Sequence, residues 1–323
     1  MTSSHSFAIA SLSRGFEASI TLPGSKSIAL RQLAISALVD GVSHIKGIPA
    51  CDDTDAMIDC LSALGVSIER TGNDVTVQGP MDFGDAPVSL NPRMSGASTR
   101  LLIALAALRS GVTSIDGHPS LQIRTNQPLF EVLSRHGCEI SSDEGTLPAD
   151  IRGPIQVQDI LEIDGSLSSQ YITALMLIAP VLAQRQGRDE QSLHITGDLV
   201  SRPYLEITRN EMDKRRVPCD WIDKTTLSIP SIEYQAGDYL VEGDASAASY
   251  FLALATLHGG TITLTNLDAT SVQGDYGFCD VMEALGSTVE RQGKTRISGP
   301  ETLSPLSVID MQEMPDVALT LIA

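Results

Sequence analysis

The sequence predicts an α/β fold in which one unit of loop, helix, strand, helix and β-hairpin is used several times. Two repeated features support this prediction. A loop of small residues runs directly into an Ala/Leu-rich helix at four places in the chain. In phase with these loops, a second helix ends at a glycine and is followed by a strand–turn–strand segment. Two of these glycines, Gly65 and Gly137, lie 72 residues apart, and a long period of this kind indicates a duplicated structural unit.

The first loop, residues 22–31, has the composition of an anion site. Ser25 or Ser27 is predicted to cap the helix that follows. The first N–H groups of a helix have no partner within it, and the helix dipole makes that end partly positive. Lys26 adds a full positive charge there, and Arg31 lies about one turn further along on nearly the same face. This combination favours binding of phosphate or carboxylate.

The same loop design recurs at residues 94–100, 165–170 and 242–249. Because the design recurs, we interpret the loop as an anion-binding site rather than as an ordinary helix cap. By the same spacing a further unit opens at residues 310–316, and residues 317–323 are predicted to form its first helix. Because no glycine stop or following strand is present, we expect the sequence to be shortened at its C-terminus.

The remaining elements follow from periodicity and from turn residues. Residues 5–21 alternate apolar and polar side chains and are predicted to form one or two strands, and residues 233–241 are predicted to cross into a second domain. The other predicted elements are helices at 56–64, 101–108, 129–135, 171–178, 205–214 and 250–257, strands at 45–48, 111–117 and 193–197, and helix-ending glycines at 65, 137 and 286 with hairpins closing at 79–80, 153–154 and 299–300.

Charged clusters in the chain have structural interpretations. Residues 52–55 (Asp-Asp-Thr-Asp) precede a helix, so we predict that they cap it rather than bind a metal. Ser201 is predicted to cap the helix that begins near residue 205. The basic residues 214–216 fall at that helix's C-terminal end, where cations are favoured. Arg124 lies in a loop, where an arginine is usually solvated.

Composition limits the classes of function. The net charge of −18 argues against general binding to nucleic acid or anionic membranes, and only 22 Lys and Arg are available to form a cationic site. The longest apolar run, residues 171–183, is too short to span a bilayer. Residues 1–14 do not resemble a signal peptide. Five scattered cysteines and six histidines show no metal-ligand spacing, so we expect no metal and a reducing cytoplasm.

Six segments, in order along the chain, carry a family signature. They are Leu22-Pro23-Gly24-Ser25-Lys26-Ser27 with Arg31, Gly165 to Gln170 with 171–175, Ser201-Arg202-Pro203-Tyr204, residues 242–251, Gln273-Gly274-Asp275, and residues 310–316. With these segments the chain resembles the enolpyruvyl transferases, and among them the enzymes that act on shikimate 3-phosphate. The resemblance covers the whole chain.

The resemblance implies two domains, each built from three βαβαββ units in an inverse α/β-barrel-like fold. Residues 22–238 would form one complete domain. Residues 1–21 together with 239–323 would form a discontinuous second domain that is incomplete at its C-terminus.

The implied reaction transfers the enolpyruvyl group of phosphoenolpyruvate to the 5-hydroxyl of shikimate 3-phosphate and releases phosphate, on the route to chorismate and aromatic amino acids. It would proceed through a tetrahedral intermediate, by addition and then elimination, without a cofactor. The resemblance also implies a cytoplasmic monomer whose partners are these two small molecules, with no nucleic acid and no membrane.

The resemblance assigns residue roles by position. Lys26 would contact both substrates, and Asp316 would be the general base that takes the proton of the 5-hydroxyl. The residues implied to hold shikimate 3-phosphate are Ser27, Arg31, Ser168, Ser169, Ser201 and Tyr204, and those implied to hold phosphoenolpyruvate are Gly96, Arg124 and Gln170.

The chain departs from the family at two points beside this second substrate. Residues 94–97 are Met-Ser-Gly-Ala where the family has Asn-Ala-Gly-Thr, and Thr125 replaces a usual proline. Loss of an amide and a hydroxyl predicts altered binding of phosphoenolpyruvate and of glyphosate, which occupies that position in the family. The family also has a further C-terminal part that completes this site, which predicts little or no turnover by this chain alone.

Two alternatives stay open from the sequence. One is an enolpyruvyl transferase acting on a UDP-amino sugar, which the Ser-Ser-Gln motif at 168–170 and the lack of a cysteine in a Gly/Ser/Thr loop disfavour. The other is a catalytically impaired homologue that only binds shikimate 3-phosphate, through residues such as Lys26 and Arg31.

Overall fold

The computed structural model describes residues 15–323, so the predicted strand around Phe7 and Ile9 lies outside the described residues. Sixteen strands and ten α-helices occur in the described part. The strands are β1 (Glu17–Ile20), β2 (Gly41–Lys46), β3 (Ser67–Thr71), β4 (Asp74–Gly79), β5 (Val88–Leu90), β6 (Val112–Ile115), β7 (Glu139–Ser142), β8 (Ala149–Arg152), β9 (Leu161–Asp164), β10 (Glu190–Thr196), β11 (Asp220–Trp221), β12 (Thr226–Pro230), β13 (Asp238–Leu240), β14 (Thr261–Leu264), β15 (Thr288–Glu290) and β16 (Thr295–Ser298). The helices are α1 (Lys26–Ser36), α2 (Asp52–Ala63), α3 (Gly96–Ala106), α4 (Pro119–Gln122), α5 (Gln127–Arg135), α6 (Ser169–Arg185), α7 (Arg202–Lys214), α8 (Ala245–His258), α9 (Phe278–Ala284) and α10 (Ala318–Ile322).

The strands form four separate four-stranded sheets with one shared plan, and the mixed α/β class predicted from the sequence is confirmed. Within residues 15–323 these sheets do not join into one closed barrel. In each, the first two strands pair in parallel and a hairpin adds two antiparallel strands. The sheet formed by β5, β6, β7 and β8 shows the register, with Val88 opposite Thr113 in parallel and Val112 opposite Arg152 antiparallel. The sheet orders are β13-β2-β4-β3, β5-β6-β8-β7, β9-β10-β12-β11 and β1-β14-β16-β15.

Two sheets take their first strand from a distant part of the chain. β13 pairs in parallel with β2, with Asp238 opposite His44. β1 pairs in parallel with β14, with Glu17 opposite Thr261. The chain accordingly divides into two compact units. The larger unit contains Pro23–Glu242 and Val272–Gly274, and the smaller unit contains the segment ending at Leu22, Gly243–Ser271 and Asp275–Ala323.

The glycine stops predicted from the repeat are confirmed. Gly65, Gly137 and Gly286 follow the C-terminal ends of α2, α5 and α9, with φ angles of +90°, +93° and +105°. Glycine populates this left-handed region without a Cβ penalty, so it ends a helix readily. Each is followed by the predicted hairpin. The repeat seen in the sequence is therefore a repeat of structure.

The larger unit buries three of its helices almost completely. Nine of the 11 residues of α1 are buried, as are ten of 11 in α3 and 13 of 17 in α6. Helices that are apolar on every side pack in the interior, and these three do so against the surrounding sheets and α7. Their first two turns nonetheless include serine, lysine and arginine side chains. Polar side chains at the ends of such buried helices therefore point to capping or to binding.

Three local predictions need correction. The acidic residues 52–55 lie inside the first turn of α2, with Cys51 at the N-cap, and form no side-chain cap; they contribute through the positive helix end instead. Ser25 occupies the N-cap of α1 and Ser201 that of α7, but neither side chain makes a capping hydrogen bond.

None of the helices between residues 15 and 323 combines the length and apolar composition needed to cross a membrane.

Candidate anion-binding site at clustered helix N-termini

The N-terminal ends of α1, α2 and α3 lie close together in the larger unit. Lys26, the first residue of α1, places its Nζ 3.7 Å from Oδ2 of Asp53 in the first turn of α2. The hydroxyl of Ser98, in the first turn of α3, donates to the carbonyl oxygen of Asp53 at 3.3 Å. Three partly positive helix ends therefore meet at one place, and Asp53 supplies the negative charge between them.

Two arginines converge on the first residue of α3. A methyl group on Gly96 would lie 2.6 Å from Nη1 of Arg124 and 2.8 Å from Nη1 of Arg100, closer than a real side chain allows. Arg100 donates to the carbonyl oxygens of Gly96 at 2.9 Å and Thr125 at 3.2 Å. Glycine at this position is thus what lets the two guanidinium groups approach the helix N-terminus.

The two guanidinium groups differ in their surroundings. Arg100 is buried, and burial lowers its pKa, with the charge of Arg124 acting in the same direction. Arg124 is exposed, and its guanidinium donates to no protein acceptor in the described part of the chain. An exposed guanidinium beside a buried one, at a helix N-terminus, presents several N–H donors and a net positive charge. An anion with two acceptor oxygens fits this geometry.

The loop before α3 is fixed from within. The hydroxyl of Ser95 accepts the backbone N–H of Ser98 at 3.3 Å and bonds its hydroxyl at 2.7 Å. Thr99 donates to the carbonyl of Ser95 at 2.8 Å. Ala97, one of the family departures, is half-buried in this turn. The backbone at Gly96 is held in place by these bonds.

The N-terminus of α6 reaches the same place from another repeat. Ser168 caps the helix by accepting the backbone N–H of Gln170 at 3.2 Å. Ser169 is buried and Gln170 is exposed. Tyr171 donates its hydroxyl to the carbonyl of Thr125 at 2.7 Å, and Arg100 lies over its ring. The Ser-Ser-Gln motif is thereby tied to the loop that carries Arg124.

Arg31 links α1 to α6 and α7. Its Nε donates to the Thr208 hydroxyl at 2.8 Å, and its Nη2 to the Tyr204 carbonyl at 3.0 Å and the Thr173 hydroxyl at 3.3 Å. Its Nη1 donates to the carbonyl of Ser27 at 2.7 Å. Four of its five N–H groups are thus already bonded to the protein. Burial lowers its pKa to about 10, which leaves it fully charged at neutral pH.

The start of α7 has an unusual backbone. Ser201 adopts a left-handed conformation, with φ 55° and ψ 45°, which is uncommon for serine. Its carbonyl accepts the backbone N–H of Tyr204 at 3.1 Å. Tyr204 is half-buried, and its own carbonyl accepts from Arg31. The start of α7 is thereby joined to α1 through Arg31.

A buried ionic network beneath this site was not predicted from the sequence. The side chain of Glu211 is fully buried and accepts from Nε2 of Gln32 at 2.5 Å and from Nζ of Lys214 at 2.7 Å. Arg215, also buried, donates to side chains on α1, among them Gln32 at 2.8 Å. Glu211 raises the pKa of Arg31 and of Arg215 against the lowering by burial. One carboxylate thus offsets two buried cations.

Asp316, the residue expected to be a base, belongs to the smaller unit. It is exposed, in a short 3₁₀ turn at Pro315–Val317. Burial raises the pKa of nearby Asp275 to about 6, its hydrogen bond from Ser246 lowers it, and the charges of Asp316 and Asp244 raise it further. The structure therefore places Asp316 in a group of carboxylates.

Comparison with known proteins decides which family has this arrangement. The model of the family described as EPSP synthase (3-phosphoshikimate 1-carboxyvinyltransferase) matches residues 13–323. The chain belongs to the EPSP synthase family. It is 37% identical over 313 residues to the 3-phosphoshikimate 1-carboxyvinyltransferase of Klebsiella pneumoniae, covering 94% of this chain and 72% of that relative. The enzyme of the same name from Colwellia psychrerythraea is 35% identical over 312 residues, covering 94% of this chain and 71% of that relative.

Solved EPSP synthase structures share the fold. The structure of EPSP synthase from Acinetobacter baumannii superposes with a TM-score of 0.77 at 21% identity, over 96% of this chain and 70% of that one. The resemblance inferred from six sequence motifs is thereby confirmed. The sequence analysis did not identify Arg100, although it ends the loop at residues 94–100. It lies four residues after Gly96, and this helical spacing places it on the same face.

Proposed function

We propose that this member of the EPSP synthase family transfers the enolpyruvyl group of phosphoenolpyruvate to the 5-hydroxyl of shikimate 3-phosphate. The observation that supports it most is the approach of Arg124 and Arg100 to Gly96 at a helix N-terminus, in a chain 37% identical to the Klebsiella enzyme. Both substrates carry a phosphate and a carboxylate. Clustered helix N-termini with arginines are suited to hold such anions close together.

Phosphoenolpyruvate is assigned to the end of α3. Arg124 offers its guanidinium to the carboxylate or phosphate, and the N–H groups at Gly96 add neutral donors. Gln170, exposed at the start of α6, offers an amide from the opposite side. In this proposal Arg100 holds the loop through Thr125 and supplies charge from below.

Shikimate 3-phosphate is assigned to the ends of α1, α6 and α7. Because four N–H groups of Arg31 already bond the protein, it contributes one donor and its charge rather than a two-pronged contact. The phosphate would take further donors from serine hydroxyls, with Tyr204 beside the ring. The serines proposed for this role are Ser27, Ser168, Ser169 and Ser201.

Lys26 and Asp316 are proposed as the catalytic residues. Asp316 takes the proton from the 5-hydroxyl as its oxygen bonds to C2 of phosphoenolpyruvate, and C3 gains a proton to form the tetrahedral intermediate. The intermediate then loses a proton from C3, and the bond between C2 and the phosphate oxygen breaks, which releases phosphate. Lys26 stabilises the negative charge of both substrates from the end of α1.

We also propose that the two compact units are the two domains of this fold, with boundaries near residues 22 and 240. The proposal includes a cytoplasmic monomer without nucleic-acid or membrane partners. The pairing of β1 with β14 and of β13 with β2 supports the domain assignment, because each pair lies within one unit. Light scattering coupled to size-exclusion chromatography tests the monomer.

The test is phosphate release by the purified chain with both substrates. We expect slow release, in line with the low turnover predicted from the sequence, that Asp316→Ala abolishes and that Arg124→Gln lowers in kcat/KM by about 10- to 100-fold, the worth of a charge-assisted hydrogen bond. Arg135→Gln is the matched control, since Arg135 is an exposed arginine on α5 paired with Glu162, and it should have no effect. Release that persists in Asp316→Ala, or no release together with no binding of shikimate 3-phosphate, would refute the proposal.

A further inference from the structure

A cavity lies at the other end of α6 from the candidate active site. It has a volume of about 710 Å³, and α6, with 17 residues, spans about 25 Å between the two places. Phe83 and Pro154 contribute accessible apolar surface to its lining, and Leu108, Ile155 and Val157, only 1–4% exposed, are buried in its wall. Arg185, in the last turn of α6, is one of two arginines that line it. The size is that of a site for a small organic molecule.

Arg185 is held in the cavity wall without a counter-charge. Its Nη1 donates to the carbonyl of Leu108 at 2.7 Å, and its guanidinium lies 4.4 Å from the centre of the Phe83 ring. Arg185 and Phe83 also line an adjoining hollow, which contains Asp40 and Glu233. No carboxylate among residues 15–323 comes within 4.0 Å of this guanidinium. Since acidic residues outnumber basic ones by 40 to 22 in this chain, an arginine left without a partner carboxylate is informative.

The neighbouring polar groups show the same pattern. Arg188 donates to the carbonyl oxygens of Asp159 and Gln158. It has no ion pair in the described residues either. Oε1 of Gln186 is buried without a hydrogen-bond partner, and an unbonded buried oxygen is costly unless a ligand or water supplies a donor. Two unpaired cations and one unsatisfied amide therefore border the same apolar wall.

Helix ends account for part of this arrangement. A cation in the last turn of α6 is favoured by that helix's own carbonyls. Among the described residues, the one side-chain hydrogen bond of Arg185 runs to the carbonyl of Leu108, directly after the C-cap of α3, so the guanidinium also lies at the carbonyl end of α3. Neither helix end supplies a full negative charge. The aromatic ring on one side and the backbone bond fix the guanidinium in place. A fixed guanidinium in an amphipathic cavity is the arrangement that recognises a carboxylate.

We propose that this cavity is a second binding site, separate from the candidate active site, for a small organic anion with a flat apolar body. The carboxylate would bond Arg185, with Arg188 adding positive charge. The body would lie against Phe83 and Pro154.

The test uses 2-naphthoate as the probe and its neutral counterpart naphthalene-2-carboxamide as the ligand control, in titrations followed by calorimetry. We expect saturable binding of 2-naphthoate, tighter than about 1 mM, and at least tenfold weaker binding of the carboxamide. Arg185→Gln should weaken 2-naphthoate by at least tenfold. Ser110→Tyr, which adds a large side chain to the cavity lining without removing a charge, should weaken it by a similar factor.

Two matched variants locate the site. Arg135→Gln removes an arginine from the last turn of α5, and Arg124→Gln removes the exposed arginine at α3; both should bind 2-naphthoate as the unaltered chain does. Circular dichroism confirms that each variant is folded. The proposal is overturned if binding is absent, if it is lost in Arg124→Gln, or if it survives both Arg185→Gln and Ser110→Tyr in folded protein.

Discussion

Replacing Glu211 with glutamine should destabilise the larger unit by about 3 kcal/mol. Glutamine fills the same volume but keeps only one of the two oxygen acceptors. The change therefore removes the negative charge and one of the two hydrogen bonds that Glu211 accepts from Gln32 and Lys214. Arg31 and Arg215 then stay buried without the carboxylate that offsets them. Breaking a buried ionic network by removing one partner costs about 3–5 kcal/mol. The low end applies because Lys214, 39% exposed, can turn into solvent.

The assay is urea unfolding followed by tryptophan fluorescence. Trp221, the one tryptophan of the sequence, lies in the larger unit, where its indole N–H donates to Glu206 at 3.0 Å. Its fluorescence therefore reports on this unit. With a denaturant slope of about 3 kcal/mol per molar urea, a loss of about 3 kcal/mol moves the midpoint down by about 1 M.

The matched control is Glu162→Gln. Glu162 pairs with Arg135 at 3.8 Å on the surface, where both side chains are about half exposed (51% and 53%), and such pairs contribute little. We expect its midpoint to change by less than about 0.2 M. A loss below about 1 kcal/mol for Glu211→Gln, or an equal loss in the control, would show that the buried arginines do not depend on this carboxylate.

Two further predictions concern the individual sites. Ala97→Thr should lower KM for phosphoenolpyruvate several-fold and shift glyphosate inhibition by restoring a hydroxyl beside Gly96, whereas Ala97→Val, of the same shape, should not; equal constants for all three forms would remove the role assigned to this position. Asp275, with a folded pKa of about 6 against about 3.9 unfolded, holds its proton more tightly in the folded chain, so its stabilising contribution is present at low pH and falls by about 1.4 kcal/mol between pH 5 and 7.5. Asp275→Asn should remove that part of the pH dependence in calorimetry, and an unchanged pH profile would contradict it.

The repeat was predictable because it depends on local signals. A glycine after a helix and a hairpin after the glycine need no knowledge of the rest of the chain, and Gly65, Gly137 and Gly286 all have the expected conformation. Helix ends were harder, since propensity changes little over a residue or two. The Asp-rich start of α2 shows this: acidic residues suit both a cap and a first turn, and only the backbone decides which position they occupy.

Burial of charge was not predictable from the sequence. Arg31 and Arg215 look like surface residues in a composition with few cations, yet both are interior, because most of their hydrogen-bond partners come from residues more than 140 positions away. Those contacts join different repeats, and periodicity within a repeat contains no information about them. The approach of Arg124 to Gly96 lies within one repeat but is likewise a tertiary contact.

Duplication also explains why the two units differ in chemistry despite a shared plan. Helix α8 holds the same place in its repeat as α1 and α3 do in theirs, directly before the second strand of a sheet. Lys26 and Gly96 leave the ends of α1 and α3 positive. At α8 the carboxylate of Asp244 accepts the N–H of Ala247 at 2.8 Å, and Asp275 and Asp316 add negative charge. An anion would be repelled by this group, whereas a substrate hydroxyl could lose its proton to it. Under the proposed function, the same backbone would supply anion binding in the larger unit and a base in the smaller one, according to the side chains each repeat carries.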